Sequence, residues 1–267
     1  MNSYIFILCP PYSGSTVLWK LVSTSSTVSA LPCEGQFLTG VEEVMRKDPW
    51  NSDIKLPWKN IKKIWDDHWN QDKLFFVEKS PPNLIHTDEI VKHFSPVYFL
   101  LMVRNPYAHC EGLIRRNKWD ARRAAEFTVR CLRQQAQNAD TLNTTLCLTY
   151  EELVENPETI SQRIQSFIPQ IGELKYDQRV KVHSIDGSIE RGIVDLNKTK
   201  IQNLSINNLR QINNVLKSNS DVMDFWGYEY YRPSLLHALN FLKKRSSLLA
   251  SKTLSKVADL LPKLPKL

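Results

Sequence analysis

The chain has 267 residues, of which 42% are hydrophobic and 24% are charged, so it is long enough for one large domain with a substantial core. Its formal net charge is +7, but residues 234–267 hold seven basic side chains against one aspartate and carry +6 of that charge. The rest of the chain is nearly neutral, which argues against a broad basic surface for DNA or RNA and indicates no nucleic-acid partner.

A phosphate-binding cradle is predicted at the start of the chain. The apolar run at residues 4–9 predicts a buried strand, which Pro10 and Pro11 end because proline cannot donate to a strand ladder. Small residues at 13–16 then predict a turn, and a helix follows from Val17. The first N–H groups of a helix have no partner within it and lie at the positive end of its dipole, so an anion is the expected occupant.

The loop of this cradle is not a Walker A loop, because that motif requires GxxxxGK[ST] and Ser15 occupies the lysine position. The pattern P-x-S-G-[ST]-[ST]-x-L resembles instead the 5′-phosphosulfate loop of sulfotransferases that use 3′-phosphoadenosine 5′-phosphosulfate (PAPS). The resemblance implies that Ser13, Gly14, Ser15 and Thr16 bind that group. These families usually carry Arg or Lys at the position of Tyr12, so the cation expected beside the sulfuryl group is missing there.

Two glutamates are candidates for a general base, which a hydroxyl needs in order to lose its proton as it attacks sulfur. Glu34 lies in a loop that resembles the one where tyrosylprotein-type sulfotransferases place their base. The predicted strand at residues 74–77 runs into Glu78 and Lys79, and its EKSP sequence resembles a block of the heparan-type and bacterial enzymes in which the glutamate can be the base. Because Tyr12 carries no charge, Lys79 is the predicted cation for the leaving 5′-phosphate.

Four tryptophans lie between residues 41 and 73. Trp58, Trp65 and Trp69, together with Ile61, are spaced as one face of a helix, which favours a helix packed on the core. The alternative is a lid whose aromatic face, including Trp50, lines an acceptor pocket.

The most hydrophobic run, residues 96–103, predicts a central strand buried on both faces. It ends in Arg104 within the sequence R-N-P, which resembles the second sulfotransferase signature, and the resemblance implies that this guanidinium binds the 3′-phosphate of the cofactor. The family places a serine eight residues later, where this chain has Gly112. Arg116 falls where tyrosylprotein-type enzymes carry a further phosphate-binding arginine, and a solvated helix face explains it equally well.

A third matching block follows the strand predicted at residues 145–148. The sequence YEELVENPE resembles the stretch after a late strand in sulfotransferases, and it adds Tyr150 to the predicted cofactor-binding residues. The polar segment at 184–197 predicts a loop that resembles the family's nucleotide-covering loop, from which Ser188 is one candidate contact. Lys198 and Lys200 are further candidates just after it.

The last segment, residues 232–267, is predicted to be a basic amphipathic helical tail. Leucines recur at roughly helical intervals among its lysines, so docking on a partner or on the chain itself is one interpretation. Peripheral contact with an anionic membrane through residues 234–267 is the other. The chain does not open with a charged segment followed by a long apolar one, so we expect a cytoplasmic protein of undetermined oligomeric state.

These patterns predict an α/β domain over residues 1–231, with a mainly parallel central sheet flanked by helices in the P-loop-like fold of sulfotransferases. The resemblance implies transfer of a sulfuryl group from PAPS to an acceptor hydroxyl without a metal. A small molecule or a lipid is the favoured acceptor, and a sugar or a tyrosine stays open. The alternatives are a P-loop kinase or NTPase, and an inactive nucleotide-binding interaction module.

Overall fold

A five-stranded sheet in which every neighbouring pair is parallel forms the centre of the protein. The computed structural model describes residues 2–177, 180–184 and 187–243. The strands are β1 (Ser3–Leu8), β2 (Val28–Ala30), β3 (Phe75–Glu78), β4 (Val97–Val103) and β5 (Thr145–Thr149). Their order across the sheet is β2-β3-β1-β4-β5. Since all strands run the same way, their carboxyl ends and the loops that follow meet at one edge.

Helices connect the strands and cover both faces of the sheet. Along the first three strands they are α1 (Ser15–Val22), α2 (Glu42–Met45), α3 (Trp58–His68) and α4 (Thr87–His93). After β4 they are α5 (Pro106–Asn117), α6 (Ala121–Thr141), α7 (Tyr150–Glu155) and α8 (Pro157–Phe167). A separate antiparallel pair, β6 (Val180–Ser184) and β7 (Gly187–Arg191), precedes α9 (Asn197–Ile201), α10 (Ile206–Lys217) and α11 (Ser220–Trp226).

The four strands expected from the sequence are confirmed, and the α/β class with a parallel sheet is therefore confirmed as well. Two elements differ from the expectation. β2 has only three residues, too few for a recognisable apolar pattern. The stretch expected as a loop at 184–197 contains β7, which pairs with β6, because alternating polar residues can form a hairpin with little apolar signal.

The side chains of the central strands divide between two cores. Ile5 and Ile7 pack with α1 and α8 on one face of the sheet, whereas Phe6 and Leu8 pack with α3 and α4 on the other. All four are fully buried, which explains why the sequence shows a continuous apolar run instead of an alternation. A third core joins α5, α6 and α10.

Helix α3 packs its aromatic face into the second core. Trp58, Trp65 and Trp69 are each 3% exposed or less, so the core-helix interpretation is correct for them and the lid interpretation is wrong. Trp65 contacts Trp58, Phe94 and Phe6 through its ring. Trp50 behaves differently, because it precedes α3 and lies half-buried against α6.

The predicted tail begins as a helix over residues 235–243. Leu235, Leu236, Leu239 and Leu242 are exposed there. Leu249 and Leu254, on which the tail prediction also rests, lie outside the described residues. Within the described part of the chain, no helix is both long enough and apolar enough to cross a membrane.

Replacing Trp65 by alanine should lower the free energy of unfolding by about 3–5 kcal/mol, because it removes a fully buried ring and leaves a cavity. Urea unfolding followed by circular dichroism measures this loss. Phe225→Ala is the control, since Phe225 is 50% exposed and its loss should change the unfolding free energy by less than about 1 kcal/mol. Similar losses in the two variants would contradict the assignment of α3 to the core.

Candidate active site

The loop between β1 and α1 forms an anion cradle. Gly14 has φ +96°, which residues with a Cβ rarely adopt, and a Cβ here would approach the Tyr150 ring to 2.5 Å. α1 begins at Ser15 without a side-chain cap, so its first N–H groups can donate to a ligand. Gly14, Ser15 and Thr16 line the main cavity, and the helix dipole makes this wall attractive to an anion.

A carboxylate and an ammonium group from different loops form an ion pair beside this cradle. Lys79, which follows β3, places its Nζ 2.7 Å from Glu34 Oε1 and 3.2 Å from Thr16 Oγ1. The other carboxylate oxygen of Glu34 accepts a hydrogen bond from Gln36 Nε2 at 2.6 Å. The Lys79 side chain is 7% exposed and that of Glu34 is 20% exposed. Glu34 faces the cavity, so its carboxylate is both oriented by two donors and accessible.

The second acidic candidate, Glu78, has a different environment. Its carboxylate accepts hydrogen bonds from the backbone N–H groups of Gly35 and Ser80, each at 2.8 Å, and from the side chains of Ser80 and Asn83. Burial raises the pKa of this carboxyl group, against the opposing effect of those hydrogen bonds. Glu78 is 1% exposed and does not line the cavity. It holds the loop that follows Glu34 in place through the N–H group of Gly35.

Arg104 follows β4 and brings a buried guanidinium to the same edge of the sheet. It stacks on the Tyr150 ring, with Cζ 3.7 Å from the ring centroid, and its Nε donates to Asn197 Oδ1 at 2.7 Å. Nη1 donates to the carbonyl of Tyr12 at 3.3 Å, and Nη2 is buried without a partner in the described part of the chain. Burial lowers the pKa of this guanidinium. An unsatisfied buried cation of this kind favours an anionic ligand.

Glu151 fixes the elements around Arg104. One carboxylate oxygen accepts from the backbone N–H of Asn105 at 3.0 Å and from the Asn197 side chain. The other accepts from the Tyr228 hydroxyl at 2.9 Å. Burial, followed by the charge of Glu151, raises the pKa of Tyr228. α5, α7, α9 and the segment after α11 are thereby joined around one guanidinium.

Further cations surround Arg104. Lys200, on α9, is 5% exposed, and burial followed by the nearby Arg104 charge lowers its pKa well below the ordinary value. Its Nζ lies 3.8 Å from Glu111 Oε2, while Arg115 donates to Glu111 Oε1 at 2.8 Å. Lys200, Arg115 and Arg116 line the cavity together with Arg104. One buried carboxylate thus faces several cations, and this part of the cavity is suited to a multiply charged anion.

The cradle, Glu34 and the cations around Arg104 line a single cavity of about 760 Å³. One ligand with two anionic groups can therefore contact the α1 N-terminus and Arg104 at once. Aromatic side chains line another part of the same cavity. They are Phe37, Trp50, Trp119 and Phe127.

A family model described as the sulfotransferase family matches residues 4–169, which is more than half of the chain. The chain belongs to the sulfotransferase family. No curated protein sequence matches it.

Solved structures share the fold of this sulfotransferase at low sequence identity. The sulfotransferase domain of the Synechococcus PCC 7002 olefin synthase is 17% identical, with a TM-score of 0.52 over 82% of this chain and 94% of that one. The sulfotransferase domain from the curacin biosynthetic pathway is 16% identical, with a TM-score of 0.51 over 86% and 99%. The Alicyclobacillus acidocaldarius sulfotransferase is 11% identical, with a TM-score of 0.55 over 86% and 97%. At these identities the similarity is one of fold.

Two departures of this sulfotransferase from the family pattern are in contact with each other. Tyr12 has φ +62°, and its hydroxyl donates to Asn117 Oδ1 at 2.6 Å. A Cβ at Gly112 would lie 2.7 Å from the Tyr12 Cβ and 3.3 Å from Lys200 Nζ. The absence of a side chain at Gly112 therefore makes room for the Tyr12 backbone and for the buried ammonium. The serine expected at this position would overlap the loop.

Most of the site residues predicted from the sequence face the cavity. Those that line it are Tyr12, Gly14, Ser15, Thr16, Glu34, Arg104, Arg116 and Tyr150. Lys79 joins them through its contacts with Glu34 and Thr16. Ser13 does not: it is fully buried, and its hydroxyl has no partner among the residues described. Glu78 and Gly112 also lie behind the lining.

The site candidates predicted after residue 184 also differ in whether they line the cavity. Lys200 lines the cavity, whereas Lys198 is exposed and does not. The side chain of Ser188 lies outside the described residues. Glu151 and Asn197, which hold Arg104, were not predicted as site residues. The only signal for Glu151 was its place in the YEEL block, and Asn197 had none because its role depends on a contact 93 residues away.

Gly112→Ser should lower the free energy of unfolding by about 1–3 kcal/mol, because the new Cβ overlaps the Tyr12 Cβ. Tyr12→Gly removes that atom and tolerates the positive φ, so the double variant should recover most of the loss. Thermal and urea unfolding of the wild type, both single variants and the double variant measure the coupling. Additive effects would show that the two positions do not constrain each other.

Proposed function

We propose that this sulfotransferase transfers a sulfuryl group from PAPS to an acceptor hydroxyl. The observation that carries the proposal is the single cavity that both the α1 N-terminus and the Arg104 guanidinium line. Two anion-binding groups in one cavity suit a nucleotide with a 5′-phosphosulfate and a 3′-phosphate. An NTP has its phosphates on one side of the ribose and would leave Arg104 unpaired.

The residues around the cavity divide the binding of PAPS between them. The N–H groups at Gly14–Thr16 and the hydroxyls of Ser15 and Thr16 bind the 5′-phosphosulfate. Arg104 binds the 3′-phosphate through its guanidinium, with Lys200 and Arg116 as further basic side chains. Arginine suits this role because its donors form a rigid fork that matches phosphate oxygens. Tyr150 orients Arg104 by stacking and forms part of the nucleotide wall.

Glu34 and Lys79 perform the chemistry in this proposal. When bound, PAPS supplies a sulfuryl group whose bond to the 5′-phosphate oxygen breaks as the bond to the acceptor oxygen forms. Glu34 accepts the proton that the acceptor hydroxyl loses. Lys79 stabilises the charge that remains on the 5′-phosphate, a role that the neutral Tyr12 side chain cannot fill. The products are a sulfate ester and 3′,5′-adenosine bisphosphate.

The assignment of the base to Glu34 rests on the environments of the two carboxylates. Glu34 faces the cavity and contacts Lys79, which in turn contacts the cradle residue Thr16. Glu78 is buried and accepts four hydrogen bonds from protein donors. A base must come within hydrogen-bond distance of the proton that it removes, and a buried carboxylate outside the cavity lining does not meet this requirement.

A kinase or NTPase is a weaker proposal for the same cavity. It needs a lysine beside the loop hydroxyl for the β- and γ-phosphates, and this chain has Ser15 at that position. An inactive binding module would need neither Glu34 nor Lys79 at the cavity. The acceptor remains a small molecule or a lipid in this proposal, and a cytoplasmic location and membrane contact through residues 234–267 stay predictions.

Glu34→Gln should lower kcat by about 10²–10⁴-fold, the usual contribution of a general base. It also removes the charge that pairs with Lys79, so the unfolding free energy should fall as well, but by less than in Glu78→Gln. Glu78→Gln should have the larger effect on stability and the smaller effect on kcat. The side-chain NH₂ group of the new glutamine would face the N–H groups of Gly35 and Ser80, so the free energy of unfolding should fall by about 1–3 kcal/mol. The value of kcat should fall by less than about tenfold. Labelled PAPS turnover and urea unfolding on both variants test this, and Glu126→Gln, an exposed acid, is the control. A larger kcat loss in Glu78→Gln would reverse the assignment.

Binding of the 3′-phosphate tests the nucleotide proposal directly. Calorimetry should find 3′,5′-adenosine bisphosphate bound at least about tenfold more tightly than 5′-AMP or ATP without Mg²⁺. Arg104→Lys and Lys200→Met should each reduce the preference over 5′-AMP by about fivefold or more. Arg133→Lys, on the exposed face of α6, should leave it unchanged. Equal affinity for the bisphosphate and 5′-AMP in the wild type would remove PAPS as the donor.

A further inference from the structure

The cavity has an aromatic wall that the transfer reaction itself does not require. We define this wall as Trp50, Trp119 and Phe127, which all line the cavity. The Phe127 ring contacts Trp50 edge-on, with centroids 4.8 Å apart, and Trp119 at 5.3 Å. All three are half-buried, in contrast to the fully packed tryptophans of α3. Aromatic surface that remains open inside a cavity is suited to an apolar ligand.

Contacts behind the aromatic wall hold it in position. Arg130 donates to the carbonyl of Trp50 and so ties this residue to α6, the helix that carries Phe127. The Arg123 guanidinium lies over the Trp119 ring at 4.4 Å. Three different segments are therefore fixed against one another. A preformed wall loses little conformational entropy when a flat ligand packs on it.

The same cavity is lined by a cation that has no acidic partner in the described part of the chain. Arg46 lines the cavity and lies over the Phe37 ring, 4.7 Å from its centroid. It forms no ion pair with any residue in the described part of the chain. Phe37 itself is 43% exposed. Arg46 and Phe37 therefore present a positive charge and an apolar ring next to each other.

A short turn connects the base to the aromatic partner of Arg46. Phe37 ends the 3₁₀ turn Gly35–Phe37, and its N–H donates to the carbonyl of Glu34 at 2.9 Å. Glu34, Phe37 and Arg46 all line the same cavity, so one ligand in it can contact both the carboxylate and the guanidinium.

We propose that the acceptor is an aromatic hydroxy acid. Its ring packs on the aromatic wall, its carboxylate pairs with Arg46, and its hydroxyl meets Glu34. The identity of the transferred group rests on the proposed function, but the recognition of a ring with a carboxylate does not. An aromatic ring offers a larger apolar face to this wall than a saccharide does, and an uncharged phenol leaves Arg46 without an anionic partner.

Ligand-observed NMR and calorimetry with 3-(4-hydroxyphenyl)propanoate, its neutral amide and N-acetylglucosamine test the proposal. The wild type should bind the acid about fivefold or more tightly than the amide, and should bind both more tightly than the sugar. Arg46→Gln should abolish the preference for the acid while leaving the amide within about twofold. Trp50→Ala should weaken both ring compounds by about tenfold. Phe37→Ala provides a second apolar variant should Trp50→Ala not fold.

Matched controls lie outside the cavity on the same protein. Arg122→Gln removes an exposed guanidinium of α6 and Phe225→Ala an exposed ring, so both should leave the affinities unchanged. The proposal is overturned if the acid does not exceed the amide, if its preference survives Arg46→Gln, or if the sugar binds as well as the ring compounds.

The same samples separate this proposal from the proposed function. The wild type and each variant are titrated with 3′,5′-adenosine bisphosphate and then assayed with labelled PAPS. Binding of the bisphosphate without binding of either ring compound overturns the acceptor class alone. Binding of the acid with the expected variant effects, but without binding of the bisphosphate, supports the acceptor site and removes PAPS as the donor.

Discussion

The burial of one guanidinium, that of Arg104, constrains much of this structure. A charged group removed from water is strongly destabilising unless other groups satisfy it. The chain meets this requirement with a stacked ring from α7, an amide from α9 and a backbone carbonyl from the loop after β1. The scaffold thus orders a cation and leaves one of its nitrogens without a hydrogen-bond partner in the described part of the chain.

A pair of glutamates shows how the same chemical group takes two roles in one edge of a sheet. Glu78 ends β3 and is surrounded by donors, so its carboxylate organises the backbone of the loop that contains Gly35. Glu34 lies just before that glycine and remains accessible, paired with Lys79. The buried carboxylate therefore positions the accessible one. Substituting the former should disturb stability first, whereas the latter has room to exchange a proton with a bound molecule.

The contact between Tyr12 and Gly112 explains two departures from the family pattern as one change. A side chain at position 112 and the present loop conformation cannot coexist, since their Cβ atoms would be 2.7 Å apart. The space left at Gly112 is adjacent to Lys200, which supplies a cation from α9. The chain has no charge at Tyr12 and no hydroxyl at position 112, but Lys79 brings a basic side chain to Thr16 and Lys200 brings another to the space at Gly112.

The amino-acid pattern alone was enough to establish the α/β class, four of the five strands in the central sheet, and the ends of those strands as the place of the polar groups. It was enough because a buried parallel strand requires a continuous apolar run, and because Pro, Gly and small residues mark where such runs end. The folded chain was needed to show the different environments of Glu34 and Glu78, to place Trp50 at the cavity and its neighbours in the core, and to bring Asn197 and Lys200 to Arg104. The physical reason is that these distinctions depend on which side chains meet across long stretches of chain. Local spacing along the chain carries no record of such contacts.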